Sequence, residues 1–203
     1  MERIQAIVVL MKAVPAREPT STPYSAAQTR TIAVALELFS QHGVAGTSLQ
    51  MIADALGVTK AAVYHQFNTK DEIVLAAAEL ELAKLESVIG AAETQSSSKR
   101  ARNVLIEGIV DLTVDRRHTV NTILSDPIVV GFFAEHDTWR DVMHRLRRLL
   151  VGEDAGPEAR VRTAMLVAAI SGAATHPFVA DLDDDVLRVE LLRLARRFLG
   201  LPG

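Results

Sequence analysis

Apolar residues recur along most of this chain with the spacing of a helix. Ile32, Ala35, Leu36 and Phe39 fall at i, i+3, i+4 and i+7, which sets them on one helical face. Gly43 and Gly46 interrupt that stripe. Leu49, Ile52, Ala53 and Leu56 resume it, and Gly57 ends it. A short third helix is predicted from about Lys60 to His65. A fourth begins near Lys70, with Ile73, Ala76, Ala77 and Leu80 on its face. Two starts match the capping box, in which a hydroxyl side chain and a Gln or Glu three residues on satisfy free backbone N–H groups. They are Thr47-Ser48-Leu49-Gln50 and Thr69-Lys70-Asp71-Glu72, each with its threonine as the cap.

The polar stretch Gln95 to Ser98 predicts a loop, and more helices follow it. Ala101, Val104, Leu105, Gly108, Ile109 and Leu112 form one stripe; Trp139, Val142, Met143, Leu146, Leu149 and Leu150 form another. Asp126-Pro127 and Gly156-Pro157 suit helix starts, since proline is favoured at the first helical position. The second of these opens a helix carrying Val161, Ala164, Met165, Ala168 and Gly172. A last helix begins at Asp183 to Asp185 and ends near Arg193, Arg196 and Arg197, charges placed to suit its dipole. No segment reads as a strand, so the expected fold class is all-α. Pro15, Pro19 and Pro23 make the start of the chain an extended linker. The expected organisation is a flexible arm over 1–24, a helix-turn-helix domain over 25–72 and a helical domain over 73–203.

Composition supports packed helices. Hydrophobic residues make up 49% and aromatics only 4%, whereas strands favour aromatic and β-branched residues. The absence of cysteine removes disulfides, thiolate metal sites and cysteine nucleophiles from consideration. It also suits a cytoplasmic location. The apolar run at 1–14 carries Glu2 and Lys12 and is too short for a secretory signal or a membrane span. Neither a cofactor, a membrane nor a metal is expected: no histidine pair has the spacing of a metal-binding helix. The net charge of −3 lacks the basic excess common in nucleic-acid binders, so any such role must rest on a few placed cations.

Residues 47–70 carry the most specific pattern. Two short helices are joined by Gly57-Val58, where glycine adopts a left-handed backbone at little steric cost. Val58 is expected to pack inward with Ile52 and Val63. Thr59 suits the cap of the second helix. That helix would present Thr59, Lys60, Ala61, Tyr64 and His65 outward. A plain helical hairpin would share the apolar spacing; the small, polar and aromatic outward residues favour a helix-turn-helix, whose second helix enters the major groove.

Residues 29–73 resemble the N-terminal domain of the TetR family of regulators. The matching pieces are Ala35-Leu36-Glu37-Leu38-Phe39, Gly43, Gly46-Thr47-Ser48-Leu49, Ile52-Ala53, Leu56-Gly57-Val58, Val63-Tyr64-His65-Gln66-Phe67 and Asn68-Thr69-Lys70. Ala61-Ala62 departs from the glycine or small hydroxyl residues frequent there, which bears on base preference. The resemblance implies that Thr47, Ser48, Tyr64 and Lys70 meet phosphates, while Thr59, Lys60 and His65 face the groove. Arg30, Lys60 and Lys70 supply the cations.

The same resemblance implies a ligand-responsive repressor that binds a pseudo-palindromic double-stranded operator as a homodimer. The last two helices would pair with their copies through Ala168, Gly172, Leu187, Leu191, Leu194 and Phe198. The alternative assigns both stripes to the protomer's own core. Middle helices would enclose a small apolar ligand, with His118, Phe132, Phe133, Trp139, Met143, Met165 and His176 as candidate lining. A helix-turn-helix dimer without a ligand is the alternative. An enzyme using a pair such as His136-Asp137 is disfavoured, because no nucleophile elbow, phosphate loop or carboxylate pair is present.

Overall fold

The computed structural model describes residues 24–117, 129–131, 137–153 and 155–201. Among them the regular structure is entirely helical. The helices are α1 (Ala26–Gly46), α2 (Leu49–Leu56), α3 (Lys60–Gln66), α4 (Lys70–Glu93), α5 (Ser98–Val114), α6 (Asp137–Val151), α7 (Pro157–Ala174) and α8 (Asp184–Phe198). A single 3₁₀ turn, Pro177–Val179, precedes α8. The all-α expectation holds. The 1–24 arm, apart from Tyr24, lies outside the described residues, as does the Asp126-Pro127 helix start.

Local rules account for most helix ends. Ser25 caps α1 and forms a complete capping box with Gln28. Gly43, at φ 73°, kinks α1 three residues before its end. Proline at the start of α7 and the Asp183 cap of α8 stand where the pattern put them. Thr69 caps α4, although Glu72 reaches Asn68 N rather than the cap residue's own N–H. The cap of α2 is Ser48, whose Oγ accepts from Met51 N at 3.2 Å. Thr47 is therefore one residue outside the expected box, and Gln50 donates instead to Asp54.

α1, α2 and α3 pack around Phe39, Ile32, Ile52 and Val63, all of which are fully buried. α4 closes this head with Ile73, Val74, Ala76, Ala77 and Ala78, then continues without a break into the body. Its far half packs on α5 and α6 through Leu82, Ile89 and Ala92. The expected boundary at 72/73 thus falls inside one continuous helix. α8 lies antiparallel to α5: Arg188 pairs with Asp111 and Asp115, and eight residues later Arg196 reaches Asn103 and Glu107. Such exposed pairs add little energy each, but together they set the register of the two helices.

α7 presents two unlike faces. Thr163, Leu166, Ile170 and Ala174 are buried inside the protomer. The predicted stripe of Val161, Ala164, Met165, Ala168 and Gly172 is the outward one. Met165 is 61% exposed, so it does not line the interior between the middle helices. On α8, Leu187 and Leu191 are buried in the protomer's own core, whereas Leu194 and Phe198 are exposed. The buried pair is thereby removed from any dimer contact, because a side chain already enclosed has no surface to offer.

α4 and α5 cross where Gly108 meets Val88. A Cβ on Gly108 would lie 2.5 and 2.8 Å from the two Val88 methyls. Valine is stiff about χ1 and has little room to turn away. We expect Gly108→Ala to lower the melting temperature. The overpacking cost of about 1–3 kcal/mol exceeds the roughly 1 kcal/mol gained in helix propensity. Adding Val88→Ala should restore most of the loss, as thermal melts of the three variants would register.

Candidate nucleic-acid interface

α2 ends on Gly57, at φ 69° and ψ 31°. Gly57 N donates to Asp54 O at 3.1 Å and Val58 N to Ala53 O at 3.0 Å. This closure satisfies carbonyls that the helix end leaves free. It also swings Val58 outward, leaving it 43% exposed, so Val58 does not join Ile52 and Val63 inside. The six-residue closure, bonding residue 58 back to 53, decides the direction of that side chain.

Thr59 then caps α3, its Oγ1 accepting from Ala62 N at 3.2 Å. α3 is seven residues long, too short to persist alone, and is held by what it touches. Val63 is fully buried beneath it, and Phe67 beyond it is 4% exposed. Thr31 Oγ1 on α1 donates to Gln66 Oε1 at 2.9 Å, and Gln28 Nε2 to Gln66 O at 3.4 Å. With one side anchored, Thr59, Lys60, Ala61, Tyr64 and His65 all face outward. Lys60 Nζ sits 5.5 Å from the Tyr64 ring centre, an attractive cation–π placement that holds the two side chains together. Ser48 and Arg30 are also exposed, on neighbouring elements of the same head.

Two candidates have internal work instead. Thr47 is 2% exposed, and its Oγ1 donates towards Gly43 O at 2.9 Å and Leu38 O at 3.2 Å. Its hydroxyl ties the kinked end of α1 and is closed off from a phosphate. Lys70 Nζ donates to Val44 O, to Thr47 O at 2.9 Å and to Ala45 O at 3.5 Å. The ammonium thus caps the carbonyl end of α1, where a cation is favoured by the helix dipole. A lysine at the first position of a helix gives no sequence sign of this, since its partners lie 23 to 26 residues earlier.

Tyr24 joins the head to α4. Its hydroxyl donates to Glu79 Oε2 at 2.5 Å, and its ring lies 6.3 Å from that of Phe67. Burial, then the Glu79 hydrogen bond and charge, raise the Tyr24 pKa far above that of a free phenol. Periodicity offered no hint of the pair, because Tyr24 precedes the first helix.

In the body, Trp139 and Met143 on α6 are half-buried against the core. His176 is exposed: its Nδ1 accepts from Phe178 N at 3.2 Å and its ring meets that of Phe178 at 4.5 Å. It caps the 3₁₀ turn and so is not an anchor inside the body. His118, Phe132 and Phe133 lie outside the described residues. No helix among the described residues is long and apolar enough to cross a membrane.

Residues 23–77 match the family described as "Bacterial regulatory proteins, tetR family". A stretch of 66 residues is 46% identical to the HTH-type transcriptional regulator AcrR of Shigella flexneri, spanning 32% of this chain and 29% of that protein. Two solved structures share the fold over nearly their whole length. A TetR-family regulator of Bordetella parapertussis has a TM-score of 0.68 at 18% identity, covering 89% of this chain and 100% of its own. PfmR of Thermus thermophilus has a TM-score of 0.63 at 22% identity, covering 83% and 97%.

The geometry separates two roles for Lys70. If the ammonium holds α1 to α4, Lys70→Met should destabilise the head by about 1.5–3 kcal/mol, the usual worth of hydrogen bonds to a charged group. A melt of the protein without DNA would register it. An unchanged melting temperature would return Lys70 to the solvent.

Proposed function

With residues 23–77 belonging to the tetR family of bacterial regulatory proteins, we propose that this chain is a DNA-binding transcriptional repressor. It acts as a homodimer on a pseudo-palindromic operator. The observation that carries this reading is α3: a helix too short to stand alone, anchored by Val63 and Gln66, with Lys60, Tyr64 and His65 all outward. Thr59, Lys60 and His65 approach base edges. Tyr64, Ser48 and Arg30 meet phosphates, which position the head without reading sequence. Lys70 and Thr47 support the interface from behind it.

One such helix reads too little sequence, and two placed roughly 34–36 Å apart meet successive major-groove turns. The outward faces of α7 and α8 supply the pairing surface. Val161, Met165, Val189, Leu194 and Phe198 are each 42% exposed or more, and Ala168 and Gly172 between them let helices approach closely. Exposed apolar side chains on these two adjacent helices support a partner surface.

The repressor is released when a small apolar molecule enters between the middle helices, beside Trp139 and Met143. The ligand shifts the dimer only by its difference in affinity for the two states. A 100-fold release requires about 2.7 kcal/mol of coupling.

Leu194→Glu should give a monomer by light scattering and lose operator affinity, while keeping the melting behaviour of a folded protomer. Leu191→Glu should instead unfold the protomer, being buried. A folded L194E dimer would remove α8 from the interface.

With Lys70 committed internally, Arg30 and Lys60 leave about four cationic contacts per dimer, so log K against log salt should fall with a slope near −4. Tyr64→Phe should weaken binding to all sequences alike. A change in preferred bases would instead assign Tyr64 to readout.

A further inference from the structure

A group of cations lies away from the α3 head. Between Tyr24 and Glu72 the cations Arg30, Lys60 and Lys70 are outnumbered by Glu37, Asp54, Asp71 and Glu72. At the other end of α4, two open clefts of about 660 and 500 Å³ flank the α4–α5 loop and share Gln95. The first is lined by Arg102, Arg145 and Arg148, the second by Lys99, Arg100 and Arg196. Glu93 is the single carboxylate lining either one. Both volumes fall in the roughly 300–1,000 Å³ range of small-molecule pockets.

Six cations thus line the two clefts in a chain of net charge −3. Glu93 organises one side of the cluster. Arg145 grips it through Nε at 3.1 Å and Nη2 at 2.7 Å, and Arg148 Nη2 reaches it at 3.1 Å. These guanidiniums hold the Glu93 carboxyl below the usual carboxylate range, so the brace stays ionised. Arg102 Nε donates to Leu149 O at 3.4 Å, and Arg100 Nη1 to Ser96 Oγ at 3.4 Å. Neither partner carries a charge; Arg196 pairs with Glu107 and Arg145 also lies 3.9 Å from Asp141, so three carboxylates stand against the six cations. Ser96, Ser97 and Ser98 add hydroxyls to the first cleft.

We propose that these joined clefts bind a small molecule carrying two or more phosphate groups. Guanidinium forks match phosphate oxygens two at a time, and strongly so. Division of the cations between two clefts on either side of Gln95 suits an extended polyanion better than a single phosphate. The operator is not that anion. The 24 residues of α4 span about 36 Å, which sets the clefts far from any duplex docked on α3. The site is also separate from the apolar ligand proposed above, since neither Trp139 nor Met143 lines it.

The test is calorimetric titration of the whole chain, without DNA, at constant ionic strength. Tripolyphosphate and pyrophosphate should bind saturably, and inorganic phosphate at least about 10-fold more weakly, given the gain from paired charge-assisted contacts. The exposed pair K99Q/R100Q and the pair R102Q/R148Q should each weaken tripolyphosphate about 10-fold or more, by loss of those contacts. Lys60→Gln on α3 should leave it unchanged. Melts identify any unfolded variant, and the other cleft's pair then carries the comparison. No saturable heat, equal affinity for the three anions, or pair variants that bind tripolyphosphate as tightly as the unchanged protein would overturn the site.

Discussion

Everything in this molecule hangs on the continuity of α4. Its first turns close the head: Ile73, Val74, Ala76 and Ala77 are 2% exposed or less. Its later turns are the central wall of the body, packed on α5 and α6. A single rod joins the two. Lys70 and Tyr24 reinforce the joint from both sides, one bonding the end of α1, the other bonding Glu79 from the chain before α1. A linker of glycine and serine would separate the two halves; a helix buried at both ends transmits.

The head solves a problem of size. Its four helical segments bury few large side chains, and α3 has a single fully buried residue, Val63. Polar bonds supplement the core where apolar area is short. Thr47 satisfies carbonyls at the kink, Lys70 satisfies those beyond it, and Gln66 accepts from Thr31. Those interactions consume Thr47 and Lys70, groups that the family resemblance assigns to phosphates. The outcome is an outward α3 face with few cations and fixed geometry.

α8 uses Arg188 and Arg196 to fasten itself to α5, while Val189, Leu194 and Phe198 point away from the protomer. α7 likewise buries one face and leaves the other uncovered. The distal arginines gather around the α4–α5 loop, beyond both surfaces. The described body therefore offers three distinct chemistries: an apolar outer face, a half-buried aromatic interior edge at Trp139, and a basic distal end.

Helix periods, glycine breaks and caps were legible in the chain because each is set by neighbours within about four residues. That is why α1 to α4, the α7 and α8 starts and the outward residues of α3 could be read directly. Leu187, Leu191, Leu194 and Phe198 were equally visible as an apolar stripe. Which of them face a partner was decided only by the angle at which α8 lies on α5, as was the exposure of Met165 and His176. Lys70, Thr47, Tyr24 and the distal arginines took their roles from residues 4 to 55 positions away. Local sequence sets the conformation of a turn, but the partner of a long charged side chain depends on where other helices end. Only the tertiary structure brings those ends together.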